Sequence, residues 1–379
     1  MKPTLIKRFL LIFLSLAVCL LSSCIALGPT LEDLERYDEL SKNQAEDSEV
    51  ESSASSEAES SESGNESAIL GDKTMTVHFI DVWQGDSIFI ELPNGECMLI
   101  DAGERDYAGR VVSLIDCLGY KKIDYIVATH PHSDHIGGMQ RVIESFEIGK
   151  IYMPEAVTDT STFIDLLEAI DAKGCGITPV TAGLAVDFGG ASGVFVAPTS
   201  IVENLNDCSA VLHLSYGEKS FLFTGDAESA EEATFKGDVS CDVLKVGHHG
   251  SYTSSSDAFL KKAGAQIAVI SCGEGNDYGH PHDAALNRLK KNGIEKIYRT
   301  DVSGTISIKT DGENLSVKEG TEPENYIWVL NIGNKKVHRA DCNSALEMNP
   351  NNKAYSKRSI EELAELGFGF CGSCKPDKE

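Results

Sequence analysis

Thr129-His130-Pro131-His132-Ser133-Asp134-His135 follows directly on an apolar run, so four side chains able to ligate a metal stand within six residues at the end of an expected strand, Ile123 to Thr129. On an extended backbone His130 and His132 share one face, and Asp134 and His135, past the bend, serve an adjacent position. Neutral imidazole and carboxylate together hold borderline divalent cations. Two such ions about 3.5–4 Å apart activate a bridging water and stabilise a leaving oxygen. Further candidates recur at comparable places, in Thr224-Gly225-Asp226, Gly247-His248-His249-Gly250 and Gly279-His280-Pro281-His282. A solvated loop with incidental histidines does not account for that recurrence.

Outward from this loop the chain alternates strands and helices. Thr74 to Val82, Asp86 to Leu92 and Cys97 to Asp101 read as an opening meander, punctuated by Gly85 and by Pro93-Asn94-Gly95. Helices are predicted over Ala108 to Leu118, after Gly138, Thr162 to Lys173, near Glu228, Ser256 to Lys262 and Asp283 to Lys291. Strands are predicted at Lys150 to Met153, Val194 to Ala197, Ser209 to Tyr216, Lys219 to Thr224, Val243 to Val246, Gln266 to Ser271, Ile297, Thr305 to Lys309 and Asn314 to Lys318. That order predicts an α/β domain over residues 72–320: an αββα sandwich of two mixed sheets packed face to face with helices outside.

The 379 residues, 41% hydrophobic and 24% charged, exclude a disordered chain, and the formal charge of −26 disfavours broad electrostatic capture of nucleic acid. Lys2, Lys7 and Arg8 precede the apolar run Phe9 to Leu21, which is too short for a helix that needs about 20 residues to span a bilayer. The run closes in Leu21-Ser22-Ser23-Cys24, which resembles the lipobox of bacterial lipoproteins. Residues 1–23 are therefore read as a lipoprotein signal peptide and Cys24 as the lipidated residue. That predicts an extracytoplasmic lipoprotein whose partner is the membrane through its lipid anchor. Residues 24–71 are read as a Ser/Glu-rich acidic tether, with too little apolar surface to offset its ordering entropy.

The His-rich stretch resembles the signature of the metallo-β-lactamase superfamily, and within it the hydrolase domain of the competence DNA-uptake protein ComEC. Supporting pieces are Asp81-Val-Trp-Gln-Gly-Asp86-Ser87 (where Gly commonly replaces Trp83), Leu99-Ile-Asp101-Ala-Gly103, Asn206-Asp-Cys-Ser209, Phe223-Thr-Gly-Asp226 and Leu244-Lys-Val-Gly-His248-His249-Gly-Ser251. The resemblance implies His130 and His132 as ligands of a first metal, Asp134, His135 and His248 as ligands of a second, and Asp226 as a bridge. It implies one or two divalent ions, zinc or manganese. Asp81 and Asp101 become candidates for orienting the histidines, with turn or strand-end roles as the alternative.

The chain departs from the broad superfamily in one respect. Between the His-rich loop and Asp226 the only histidine is His213, inside an apolar strand, where a sheet-face role is expected. Asp207, with Asn206 beside it, is the candidate substitute at the first metal. Asp134 is also placed among the catalytic residues, together with His249 and His280, the candidates for proton donation or phosphate contact.

The tail, residues 321–379, restarts with the strand Tyr326 to Ile332 and a helical pattern from Ser359. His338, Cys342, Cys371 and Cys374 have the makeup of a closed, structural Cys₃His zinc site, which suits so small a core. This part resembles the zinc-binding module of the Ada DNA-repair protein, with His338 in place of its first cysteine, a replacement that argues against sulfur-transfer chemistry. The alternative is a Cys371–Cys374 disulfide or free thiols. From Thr321 onward eight bases meet nine acids, which makes the tail far less acidic than the domain before it.

The function expected from these readings is a membrane-tethered, metal-dependent phosphodiesterase or nuclease with DNA or nucleotides as substrate. The alternatives are hydrolysis of a lactam, ester or other carbonyl substrate, and a non-catalytic, tethered DNA-binding protein. Partner proteins are unassigned.

Overall fold

The computed structural model describes residues 73–377, so the signal peptide, Cys24 and the acidic tether lie outside the described residues. Fifteen strands precede the tail: β1 (Met75–Phe79), β2 (Ile88–Glu91), β3 (Cys97–Ile100), β4 (Lys122–Val127), β5 (Glu147–Met153), β6 (Ile177–Pro179), β7 (Ala185–Phe188), β8 (Ala191–Ala197), β9 (Val211–Tyr216), β10 (Lys219–Phe223), β11 (Val243–Lys245), β12 (Ile267–Ile270), β13 (Lys296–Arg299), β14 (Ile306–Thr310) and β15 (Leu315–Lys318). They form two mixed sheets, ordered β15-β14-β1-β2-β3-β4-β5-β6 and β13-β12-β11-β10-β9-β8-β7. In each sheet one half is antiparallel and the other parallel: β3 to β6 in the first, β10 to β13 in the second.

Strand alternation builds the layers. Phe221 and Phe223 point into the core between the sheets, with Phe79, Ile90, Phe195, Leu212 and Ile308. Leu222, between them, faces the other way with Leu244 and Ile270, against Phe259 and Leu260 of the helix Asp257–Ala263 and Leu289 of the helix Asp283–Lys291. Because successive side chains point to opposite faces, strands this apolar need cover on both sides. The αββα architecture expected from the order of elements is the one observed.

The differences are local. The first strand ends at Phe79, not Val82, because Asp81 Oδ1 accepts the Trp83 N–H at 3.0 Å and folds the chain into a turn. Trp83 sits in the left-handed region (φ 62°), the conformation glycine takes most readily, and keeps its side chain by stacking it on Tyr107 at 6.0 Å. The hairpin of β7 and β8 was not anticipated over its full length, and neither was the short helix Ser133–Ile136 inside the His-rich loop.

The tail has a sheet of its own, β16 (Trp328–Asn331), β17 (Lys336–Arg339), β18 (Lys353–Ser356) and β19 (Gly369–Phe370), ordered β18-β16-β17-β19. It belongs to the same compact unit as the two large sheets. Its seat is the helix Ala108–Leu118, where Ser113 Oγ accepts the Tyr355 N–H and Asp116 accepts hydrogen bonds from Ser356 Oγ and the Lys357 N–H. Buried Arg358 pairs with Asp116 at 2.6 Å, donates to Ser145 O and lies over the Phe146 ring. Removing one partner of a buried pair strands the other charge, so Asp116→Ala should lower stability by about 3–5 kcal/mol. Denaturant melts of the full chain check this; a shift below 1 kcal/mol contradicts it.

Candidate metal centre

The candidate ligands stand at the carboxyl ends of parallel strands, where α/β sheets commonly bind their ligands. Asp134 and His135 lie on the helix Ser133–Ile136 after β4, Asp226 follows β10, and His248 and His249 form the turn Gly247–Gly250 after β11. One ligand atom from each of Asp134, His135, Asp226 and His249 lies within 4.8 Å of the others. His249 Nε2 is 3.2 Å from Asp134 Oδ2 and 3.3 Å from Asp226 Oδ2, and His135 Nε2 is 3.2 Å from Asp226 Oδ1.

Buried acceptors behind the rings fix their orientation. Asp101, held by the Thr129 N–H and hydroxyl, accepts the His135 Nδ1–H at 2.7 Å. His249 Nδ1–H donates to Ser271 O at 3.0 Å. With the proton placed on Nδ1 in both rings, the two Nε2 lone pairs face each other at 3.3 Å, between two carboxylates. Asp226 Oδ1 is buried without a hydrogen-bond partner among the described residues. Two imidazoles, each neutral with its proton on Nδ1, and two carboxylates converging on one small volume fit a divalent cation, whose place a ring proton takes when no ion is bound.

The titration tendencies have the same origin. Burial alone would lower His135 and His249, but Asp226 and the neighbouring carboxylates outweigh it and hold both rings well above the usual histidine range. Burial alone would raise Asp226, yet His135 and His249 keep it well below the ordinary carboxylate value. His130 is pushed far down, first by burial and then by His135. Negative charge gathered out of water demands a positive counterpart.

The resemblance implied His248 as a ligand of the second metal, but the structure brings His249 to that cluster. Both residues are left-handed (φ 47° and 53°), and this double turn sends successive rings apart. His248 Nδ1 lies 3.2 Å from Glu228 Oε1, leaving its Nε2 3.8 Å from Asp226 Oδ2. Asp207 also departs from its expected place: its carboxylate is spent on the Glu228 N–H and the Asn204 side chain, both at 3.0 Å. Asn206 is the neighbour that lines the cleft, its buried Oδ1 without a hydrogen-bond partner among the described residues. His130 and His132 meet each other, Nε2 to Nδ1, at 3.0 Å, and His130 Nε2 lies 3.9 Å from Asp226 Oδ2. His213 is on the sheet face, bonded to Ser240 O. Asp101 orients a ring as anticipated, whereas Asp81 pairs with Arg110.

Above the cluster opens a cleft of about 480 Å³ whose lining includes His132, Asn206, His248, Tyr278 and His280 and, among the described residues, no lysine or arginine. Gln84 Oε1 accepts the Gly273 N–H, which leaves its amide nitrogen facing His280 Nδ1 at 3.4 Å. The His280 proton is thereby placed on Nε2. Burial, then the nearby His249 and His248, bring His280 down to about 4, so it is neutral at pH 7. The sequence reading missed Gln84 and the pair of Asp86 with fully buried Lys245, 2.7 Å apart. A lysine flanked by Val243-Leu244 and Val246 in an apolar strand was the available signal.

In the tail, His338, Cys342, Cys371 and Cys374 converge as expected, one ligand atom each within 4.8 Å. Both cysteines of the Cys371-Gly-Ser-Cys374 knuckle are unbridged thiols. Burial opposes ionisation of Cys371, but the backbone N–H groups of Cys374 and Ser373 outweigh it and lower the thiol to about 7. A low thiol pKa suits a metal ligand, which binds as thiolate.

Residues 80–274 match the metallo-beta-lactamase superfamily, about half of the chain. The chain belongs to this superfamily of metal-dependent hydrolases. It is 28% identical over 254 residues to ComE operon protein 3 of Bacillus subtilis, and 32% identical over 233 residues to competence protein ComA of Neisseria gonorrhoeae. Those alignments cover 62% and 60% of this chain but 33% and 31% of the relatives, so the chain spans about a third of their length. Recombination protein 2 of Haemophilus influenzae is 27% identical, covering 66% of this chain and 31% of that protein. Among solved structures, the metallo-beta-lactamase fold protein YhfI of Bacillus subtilis aligns at TM-score 0.43 and 16% identity, over 65% of this chain and all of YhfI.

Gly85 is the tightest backbone approach at the centre. Its φ is 120°, and a Cβ there would stand 2.0 Å from Asp134 O. Gly85→Ala should therefore displace the Asp134 loop, lowering stability by about 3 kcal/mol, the upper end of overpacking costs, and weakening metal binding in titration calorimetry. Unchanged values for both contradict the constraint.

Proposed function

We propose that this chain is a metal-dependent phosphodiesterase acting on DNA or nucleotides. The observation that carries the reading is the convergence of Asp134, His135, Asp226 and His249 beneath an open cleft walled by further imidazoles. An ion held there would polarise a phosphoryl oxygen and lower the pKa of water. The chain's own groups do the rest: Asp101 and Ser271 O hold the His135 and His249 rings, and Asn206 and His132 border the cleft. His280, its proton on Nε2, donates a hydrogen bond toward a substrate oxygen. Imidazole N–H donors suit phosphate, and the names of two relatives, a competence protein and a recombination protein, support a nucleic-acid substrate. In the tail, His338 and the three cysteines hold one structural zinc.

Asp226→Asn keeps the shape and removes a charge that faces both His135 and His249. It should reduce ion affinity at least about tenfold and abolish turnover. His280→Ala should retain the ion and slow cleavage by about 10²-fold or more. Both variants are assayed for bound metal per chain and for hydrolysis of single-stranded DNA, a cyclic dinucleotide and a lactam. Cleavage of the lactam alone replaces the substrate class; full metal and full activity in Asp226→Asn removes the role of that carboxylate.

The reading extends to location. Cys24 is lipidated and tethers the domain outside the cytoplasm; among the described residues no helix is long and apolar enough to cross a membrane. Cys24→Ala should move the protein from the membrane fraction to the soluble fraction, with loss of the acyl mass from the intact chain. Unchanged membrane retention contradicts the anchor.

A further inference from the structure

Lys245 is 0% exposed, the one lysine among the buried residues described, and it lies on β11 directly ahead of the His248-His249 turn. Its ammonium is 2.7 Å from Asp86 Oδ2 and donates to Val246 O at 2.9 Å. The other oxygen, Asp86 Oδ1, is buried, makes no hydrogen bond among the described residues, and stands 3.3 Å from His249 Nδ1. Asp86 is itself locked in place, its N–H donating to Asp134 O and its carbonyl accepting the Gly103 N–H. A lysine with every methylene out of water is costly unless its charge is matched, and a packing role alone is met more cheaply by methionine or leucine. Among the described residues its only charged contact within 4 Å is Asp86.

We propose that Lys245 and Asp86 are a positioning couple for the metal centre. Lys245 holds the Asp86 carboxylate behind His249, so that Nδ1 faces two acceptors, Asp86 Oδ1 and Ser271 O, and Nε2 is left free toward Asp134 and Asp226. Asp101 does the same for His135, but needs no lysine because Thr129 supplies it with two hydrogen bonds. The layer then holds four carboxylates, Asp86, Asp101 and Asp226 buried and Asp134 partly exposed, against one lysine. With both imidazoles neutral, as ligands must be, three negative charges stay uncompensated, and one divalent ion would reduce them to one. The couple thus sets both the tautomer of a ligand and how much charge the site asks an ion to supply. It rests on the reading of Asp134, His135, Asp226 and His249 as an ion site, and is independent of the substrate.

The test replaces both charges, since Lys245→Met or Asp86→Asn alone leaves one buried charge unmatched. The double variant D86N/K245M and the wild type are compared by thermal melting and by Mn²⁺ titration calorimetry. The expected result is a double variant that folds, melts within a few degrees of wild type, and binds Mn²⁺ about 10–100-fold more weakly, the usual effect of losing a partner behind a ligating histidine. A folded double variant with wild-type affinity overturns the proposal. Should the double variant not fold, nitrogen-15 histidine spectra of the Zn²⁺-loaded wild type decide: a His249 Nδ1–H signal, protected from exchange and absent from His249→Asn, supports the couple, and a His249 proton on Nε2 in the loaded protein overturns it. A wild type that binds no Mn²⁺ and no Zn²⁺ at this cluster instead removes the ion-site reading, and the proposal with it.

Discussion

Negative charge held out of water is the constraint on which this structure depends. Asp134 and Asp226 approach two imidazoles from different strand ends, and Asp86 and Asp101 stand directly behind them. Separate carboxylates in such a place would repel one another and lose their hydration. Every nearby feature reads as compensation: ring N–H groups pointed at backing acceptors, a buried lysine, and lone pairs directed at one small volume. The parallel halves of the two sheets make this arrangement possible, because β3, β4, β10, β11 and β12 all deliver their carboxyl ends to one edge of the sandwich.

Much of the fold was legible because its strands are short, apolar and separated by clear turns. The β7–β8 hairpin was harder to read: β7 is largely exposed at a sheet edge and is joined to its partner through Gly189-Gly190, so neither alternation nor propensity marks it strongly. In the tail, β18 gains its buried face from contact with the helix Ala108–Leu118, a contact more than two hundred residues away in sequence. No local pattern carries that information.

The site divides along the same line. His130, His132, Asp134 and His135 were legible because they are packed into one loop, and Asp226 because a Gly-Asp step ends an apolar strand. Choosing between His248 and His249 was not a matter of residue type, since it depends on two successive left-handed residues that rotate one ring in and one ring out. Asp207 and Asn206 present the same difficulty: adjacent in sequence, one is consumed by capping a neighbouring turn while the other faces the cleft. The partnership of Asp86 with Lys245 joins distant strands, and only the folded chain reveals it.

A cleft with no lysine or arginine among its described lining residues has an electrostatic consequence for the order of events. Most sites for anions carry permanent cations that draw the ligand in before any other component arrives. Here the lining offers histidines and the carboxylates of Asp134 and Asp226, set in a strongly acidic chain. For the phosphodiester substrate proposed above, divalent charge seated in this cleft would supply the attraction that the lining itself lacks, and association would then be ordered, cation first and anion second, with ambient metal concentration a control on substrate entry as well as on chemistry.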